Sequence, residues 1–314
     1  MNKNIKMIID CDTGVDDALA ISYILSNPNI DLLGVTTTYG NVELDLAAKN
    51  TLLLLEMFRR TDVGVYKGAD HSVEVESYER RQPSILVHGL NGIGNVDLGE
   101  PHTKVRDESA VDFILDSARK YKEDLHLVLV GPLTTFAECI RKDEEALRQI
   151  GDITIMGGAL TVTGNTTRYA EANIVCDPTS AKQVFSSSLH LNIIPLDATW
   201  KTLFRMHDVI SWTKINEAGR NLYEIARYYY EKELGGEEIG GAMHDPLAAY
   251  ASYDPSIITN WFDCNLTVEE NGRTIGAFNE LNLKEKRHRV ALDVNADRFT
   301  EDYIDMVSRL IESI

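Results

Sequence analysis

Short apolar runs alternate with stretches of helical periodicity from the start of the chain to about Ile194. Ile5 to Ile9 has the unbroken apolar character of a strand covered on both faces, and Asp17 to Leu25 repeats at helical spacing. Leu32 to Thr38 reads as a strand, Leu44 to Phe58 as a helix and Val63 to Tyr66 as a strand. Ser109 is placed to cap a helix running to Tyr121. Leu125 to Val130, Ile153 to Met156 and Leu191 to Pro195 continue the strands. The alternation predicts an α/β fold, with a mostly parallel central sheet and helices on both faces. Ligands of such sheets sit outside the carboxyl ends of the strands, so the active site is expected there.

Beyond Pro195 the rhythm changes. Val209 to Glu233 reads as mainly helical, with Gly219 as a break, and Gly235 to Gly241 as a mobile loop. Phe262 to Val268, Gly276 to Asn282 and Arg289 to Val294 resemble strands of an antiparallel edge, and Phe299 to Ile311 a closing helix. No linker, internal repeat or low-complexity segment interrupts the chain, so residues 1–314 are expected to form a single domain.

Composition narrows the function. Hydrophobic residues make up 44% of the 314 and charged residues 25%, the balance of a globular protein with a substantial core. With 49 Asp and Glu against 31 Lys and Arg the net charge is -18, which opposes nucleic acid and anionic lipid but not a small neutral ligand. Cys11, Cys139, Cys176 and Cys264 are scattered singly, so neither a zinc site nor a redox pair is expected. The start of the chain reaches an acid too soon for a signal peptide, and no apolar run approaches the roughly 20 residues of a membrane span. A cytoplasmic protein is the expectation.

The chemistry concentrates in Asp10-Cys11-Asp12-Thr13-Gly14-Val15-Asp16-Asp17, where four carboxylates follow a buried strand within eight residues. Held together in a cleft they repel one another, and a hard divalent cation such as Ca²⁺ or Mg²⁺ removes that cost. Gly14 permits the turn that would bring Asp16 and Asp17 back beside Asp12. A helix cap alone would need one acid, not four. The Asp-x-Asp-x-Asp-Gly spacing of an EF-hand is absent.

The same run resembles the opening of the inosine-uridine-preferring nucleoside hydrolases, Asp-x-Asp-Pro-Gly-x-Asp-Asp-Ala, with Thr13 in place of the proline. Further landmarks follow in family order: Gly40-Asn41, His88-Gly89, Val130-Gly131-Pro132-Leu133-Thr134, Met156-Gly157-Gly158, Gly164-Asn165, Glu171-Ala172-Asn173, Asp177-Pro178 and His244-Asp245-Pro246. The resemblance departs at Ala172, where an aromatic residue is common, and at Thr135, where Asn is common.

The resemblance implies a Ca²⁺-dependent enzyme that hydrolyses the N-glycosidic bond of ribonucleosides. It implies Ca²⁺ ligands at Asp12, Asp17, Asp245 and the Val130 carbonyl, with Asp12 also the general base. Asp16, Asn41, Asn165, Glu171 and Asn173 would clamp the ribose, amides and acids being suited to a polyol. Asp10 would support the metal ligands from behind. His244 would protonate the departing base, with His88 and Tyr230 of the Tyr228-Tyr229-Tyr230 run on its ring. A homodimer or homotetramer is expected on the same ground. Nothing around His88 or between Tyr228 and Gly241 selects purine over pyrimidine.

Two rivals are weaker. Haloacid-dehalogenase phosphatases begin with a similar Asp-x-Asp, but Thr13-Gly14 reverses their order and the second acid pair follows at once. A non-enzymatic nucleoside-binding protein would be signalled by loss of Asp12, Asp17 or Asp245, and all three are present.

Overall fold

The computed structural model describes residues 4–233 and 240–314. In chain order the first part runs β1 (Ile5–Cys11), α1 (Val15–Ser26), β2 (Ile30–Thr37), α2 (Leu44–Met57), β3 (Gly64–Lys67), α3 (Gln82–His88) and α4 (Ala110–Tyr121). Then come β4 (Leu125–Leu129), α5 (Thr134–Leu147), β5 (Asp152–Met156), α6 (Ala172–Cys176), α7 (Pro178–Ser186), β6 (Leu191–Ile194) and α8 (Leu196–Thr199). The last third holds α9 (Glu217–Glu233), α10 (His244–Tyr253), β7 (Ile258–Cys264), β8 (Leu266–Val268), β9 (Phe278–Glu280), β10 (His288–Val294) and α11 (Ala296–Ser313).

Eight strands form one sheet in the order β3-β2-β1-β4-β5-β6-β10-β7, parallel throughout except for the β10–β7 pair. The alternation of side chains along each central strand feeds two cores. Met7 and Ile9 of β1 and Val128 of β4 enter one apolar cluster, while Ile8, Leu127 and Leu129 enter the other. Helices α1 and α9–α11 supply the first cluster and α4, α5 and α7 the second, so the sheet is covered on both faces. That is why β1 reads as unbroken apolar sequence. Among the described residues no helix is long and apolar enough to cross a membrane.

Three expectations change in detail. Phe262 to Val268 is not one strand: β7 ends at Cys264, and β8 pairs with β9 in a separate two-stranded sheet. The buried Asn265 divides them, donating to the Glu285 carbonyl (2.7 Å) and accepting from the Arg287 amide (3.2 Å). The strand expected at Arg289 is not at an edge, since β10 lies between β6 and β7.

Gly219 does not break the helix either. The interruption precedes it, between a 3₁₀ segment (Met206–Lys214) and α9, and Gly219 passes so near Trp212 that a Cβ would lie 2.5 Å from its carbonyl oxygen. Of the glycine-rich loop, residues 235–239 lie outside the described residues, while Gly241 forms a bridge with Phe204.

Candidate active site

A cavity of about 320 Å³ opens at the carboxyl edge of the sheet, at the small end of the roughly 300–1,000 Å³ range of small-molecule sites. One wall is acidic. The end of β1 delivers Asp12 to it, the first turn of α1 Asp16 and the first turn of α10 Asp245, with Asp17 buried beside them. All four are buried. Carboxylates at a helix start gain from the positive end of the backbone dipole, which lowers the cost of crowding two of them onto α1.

Asn41, just after β2, holds the acids in place. Its backbone N–H donates to Asp12 Oδ2 (2.6 Å), and its side-chain amide to Asp12 Oδ1 (3.0 Å) and Asp17 Oδ2 (3.2 Å). Asp17 Oδ2 also accepts from the Gly14 amide (2.7 Å). A Cβ at Gly14 would lie 2.5 Å from His88 Nδ1 and 2.8 Å from Asn41 Nδ2, so only glycine fits this turn.

One oxygen each of Asp16, Asp17 and Asp245 is buried with no hydrogen-bond partner in the protein, and the three side chains bring ligand atoms within 4.8 Å of one another. Burial first, and then mutual repulsion, pushes the Asp17 carboxyl up to about 7 and holds those of Asp12 and Asp245 well above the usual range. Unpaired oxygens and repelling charges are the donor set of a hard divalent cation, so the residues present fit a metal ion.

Asp10 stands behind this wall. It accepts from Thr36 Oγ1 (2.5 Å), its carbonyl accepts from the Val130 amide (2.9 Å), and burial raises its carboxyl to about 7. The Val130 carbonyl accepts from Asn173 Nδ2 (2.9 Å), as does the Met156 carbonyl (3.2 Å). Glu171 caps α6: its oxygens accept from the Asn173 (2.8 Å), Gly158 (3.0 Å) and Ile174 (3.2 Å) amides. Asn165, exposed at the mouth, accepts from the Ala172 amide (3.0 Å).

Two imidazoles also line the cavity, beside the acids. His88 is the last residue of α3, not a loop residue as the glycines around it suggest. The Val15 amide donates to its Nδ1 (3.1 Å), so Nε2 carries the proton of the neutral ring. Asp16 Oδ1, 4.0 Å from that nitrogen, therefore receives no hydrogen from it. His244, the first residue of α10, has Nδ1 2.8 Å from Thr199 Oγ1.

Tyr230 does not reach the cavity. It is fully buried against Phe204 (ring centroids 5.4 Å apart), and its hydroxyl donates to the Ala242 carbonyl (3.4 Å). Tyr229 lines the cavity instead, 5.4 Å from the His88 ring. Adjacent helical residues point about 100° apart, so Tyr229 and not Tyr230 meets the cavity. Arg81, Tyr78 and Cys176 also line the cavity, and no local motif marked them.

A buried carboxylate cluster able to hold a metal ion thus lies with two histidines at the carboxyl edge of a doubly covered parallel sheet. The family model of the inosine-uridine preferring nucleoside hydrolases matches residues 7–301, and the chain belongs to that family. It is 32% identical over 321 residues to probable uridine nucleosidase 2 of Arabidopsis thaliana, covering 98% of each chain. It is 29% identical to the inosine-uridine preferring nucleoside hydrolase of Crithidia fasciculata, over 97% of this chain and 98% of the other. Among solved structures, the purine-preferring ribonucleoside hydrolase of Gardnerella vaginalis superposes with a TM-score of 0.95 at 38% identity, covering 98% of this chain and all of that one.

Proposed function

We propose that this cavity hydrolyses the N-glycosidic bond of ribonucleosides to free base and ribose, with Ca²⁺ as cofactor. The observation that carries the reading is the set of partnerless oxygens on Asp16, Asp17 and Asp245, clustered at a cavity that two histidines also line. The residues that would hold the ion are Asp12, Asp17, Asp245 and the Val130 carbonyl, with Asp16 beside them. When bound, Ca²⁺ would lower the pKa of a water in the cavity.

Asp12 then takes that water's proton as general base, with Asn41 holding both of its oxygens in orientation. The bond to the base breaks through a transition state with oxocarbenium character, which the surrounding carboxylates stabilise. Asp16, Asn41, Asn165 and Asn173 bind the ribose hydroxyls, with Glu171 fixing the turn that presents Asn173. Asp10 braces the metal-holding strand ends. His244 supplies a proton to the departing base, and His88 offers its Nε2–H to the ring beside Tyr229. A single domain over residues 1–314 assembles as a homodimer or homotetramer and works in a reducing cytoplasm. Four free cysteines accord with that compartment.

The test is a panel of ribonucleosides assayed for free ribose. Equal release of ribose and base is expected for at least one nucleoside, and its absence from Asp245→Asn. Intact nucleosides across the whole panel, with folded and Ca²⁺-loaded protein, would overturn the reading.

A further inference from the structure

A second cavity, about 610 Å³ against 320 Å³ for the first, opens at the other edge of the sheet. The first residues of β5, β6 and β10 (Asp152, Leu191 and His288) lie in its walls, so it faces away from the acidic pocket. Its charge opposes that of the chain. On a molecule of net charge -18, Arg148, Lys286, Arg287 and Arg289 line it, together with His190 and His288.

Not all of these cations are available. Arg148 is paired with Glu144 (3.3 Å) and Glu145 (2.7 Å), and Lys286 with Glu280 (2.9 Å). Arg287 and Arg289 have no carboxylate within 4.0 Å among the described residues. Arg287 donates to the Ser187 carbonyl (3.2 Å). Arg289 donates through Nε to Asn192 Oδ1 (2.5 Å), and its guanidinium lies over the Trp261 ring at 4.4 Å. The nearby Asp152 is already satisfied, by Ser252 (2.8 Å), Thr154 (2.7 Å) and Asn192 (2.5 Å). Asp263 alone remains as an acid on the rim. Two planar guanidinium groups that line one cleft, two residues apart at the start of β10 and with donors to spare, suit a phosphate.

A second observation refines the ligand. His288 is only 3% exposed, and its Nε2 lies 3.0 Å from the Phe185 carbonyl, which can only accept. Nδ1 therefore holds the lone pair of the neutral ring, and it is buried with no partner in the protein. Burial also favours that neutral form. A ligand with a hydroxyl to donate satisfies this lone pair, and a fully ionised anion does not.

We propose that this cleft binds a small phosphate ester that also carries free hydroxyls, a sugar phosphate or a nucleoside monophosphate. Arg287 and Arg289 take the phosphate, and His288 Nδ1 accepts from a hydroxyl. This site is independent of the proposed hydrolysis.

The test is calorimetric titration of the full chain with ribose 5-phosphate, uridine 5′-monophosphate, inorganic phosphate and ribose. Titration is repeated in Asp245→Asn, where turnover at the acidic pocket is expected to be absent. Saturable binding of an ester in both proteins is expected, at least about tenfold tighter than that of inorganic phosphate or ribose, the scale of one good hydrogen bond. The tighter ester identifies the natural source. Arg287→Ala should weaken it about tenfold or more, and Arg287→Lys, which keeps the charge without the fork, by less. Arg287 is half-buried at the rim, and melting curves of both variants establish that they fold. Overturning results are inorganic phosphate binding as tightly as either ester, binding unchanged in Arg287→Ala, binding lost in Asp245→Asn, or no saturable binding.

Discussion

The acids and the imidazoles of the candidate cavity are built on opposite terms. The acidic wall comes largely from one eight-residue stretch, Asp10 to Asp17, and leaves buried oxygens without partners. The imidazole wall draws His88, Tyr229 and His244 from three separate helices, and each histidine has a bonded Nδ1. A charged cluster that is unsatisfied by its own protein announces a missing component. A histidine with a bonded Nδ1 announces no such component, and its role must be tested by chemistry.

Removing the metal should produce the largest effect. Purified protein is expected to hold about one Ca²⁺ per chain, and exhaustive chelation to bring ribose release to background with recovery on adding Ca²⁺. Full activity after chelation, or zinc in its place by elemental analysis, would show that the acidic wall has another purpose.

The sugar gives the next effect. If the acids, the metal and Asn173 hold the 2′- and 3′-hydroxyls, a 2′-deoxynucleoside leaves buried polar groups unpaired. Its kcat/KM should fall by roughly 10⁴-fold, as at other sites built around a hydroxyl. Equal kcat/KM for the two sugars would break the clamp assignment.

His244→Ala separates the walls most directly. For the best nucleoside kcat should drop roughly 10²- to 10⁴-fold, while p-nitrophenyl riboside, whose leaving group needs little protonation, should stay within about tenfold of wild type. Equal losses on both substrates would mean that the change acts through its neighbour Asp245 on the acidic wall.

Asp12→Asn removes the proton acceptor and retains a neutral oxygen. A loss in kcat on the order of 10²-fold or more is expected, and near-normal turnover would move the base to another acid. The smallest effect belongs to Tyr230→Phe. It deletes one long hydrogen bond to the Ala242 carbonyl, so stability should fall by no more than about 1 kcal/mol with kcat/KM unchanged. A large catalytic loss there would restore Tyr230 to the base-binding wall.

What could be read from the chain follows the same division. The strands of the first half were legible because a sheet covered on both faces demands apolar runs, and the acids of the β1–α1 turn because they are contiguous. Asp245 and the Val130 carbonyl were accessible only through resemblance, since one lies far along the chain and the other is backbone. Helix α3 escaped notice: seven residues beginning Gln-Pro-Ser are too few to establish a helical period, and glycines follow at once. Tyr229 was missed by one position, because a tyrosine run does not say which ring faces inward. Arg81 belongs to no local pattern at all.

The position of β10 has a consequence for synthesis. Strand β7 precedes it in the chain yet joins the sheet only through it, because β10 lies between β6 and β7. While the polypeptide emerges from the ribosome, β6 keeps an open edge and β7 has no place in the sheet until β10 itself is made. An unpaired parallel edge is a template for other strands, so the nascent protein is exposed to mispairing over that interval. Chains truncated ahead of His288 would keep every acid of the catalytic wall, and their hazard would be aggregation through β6.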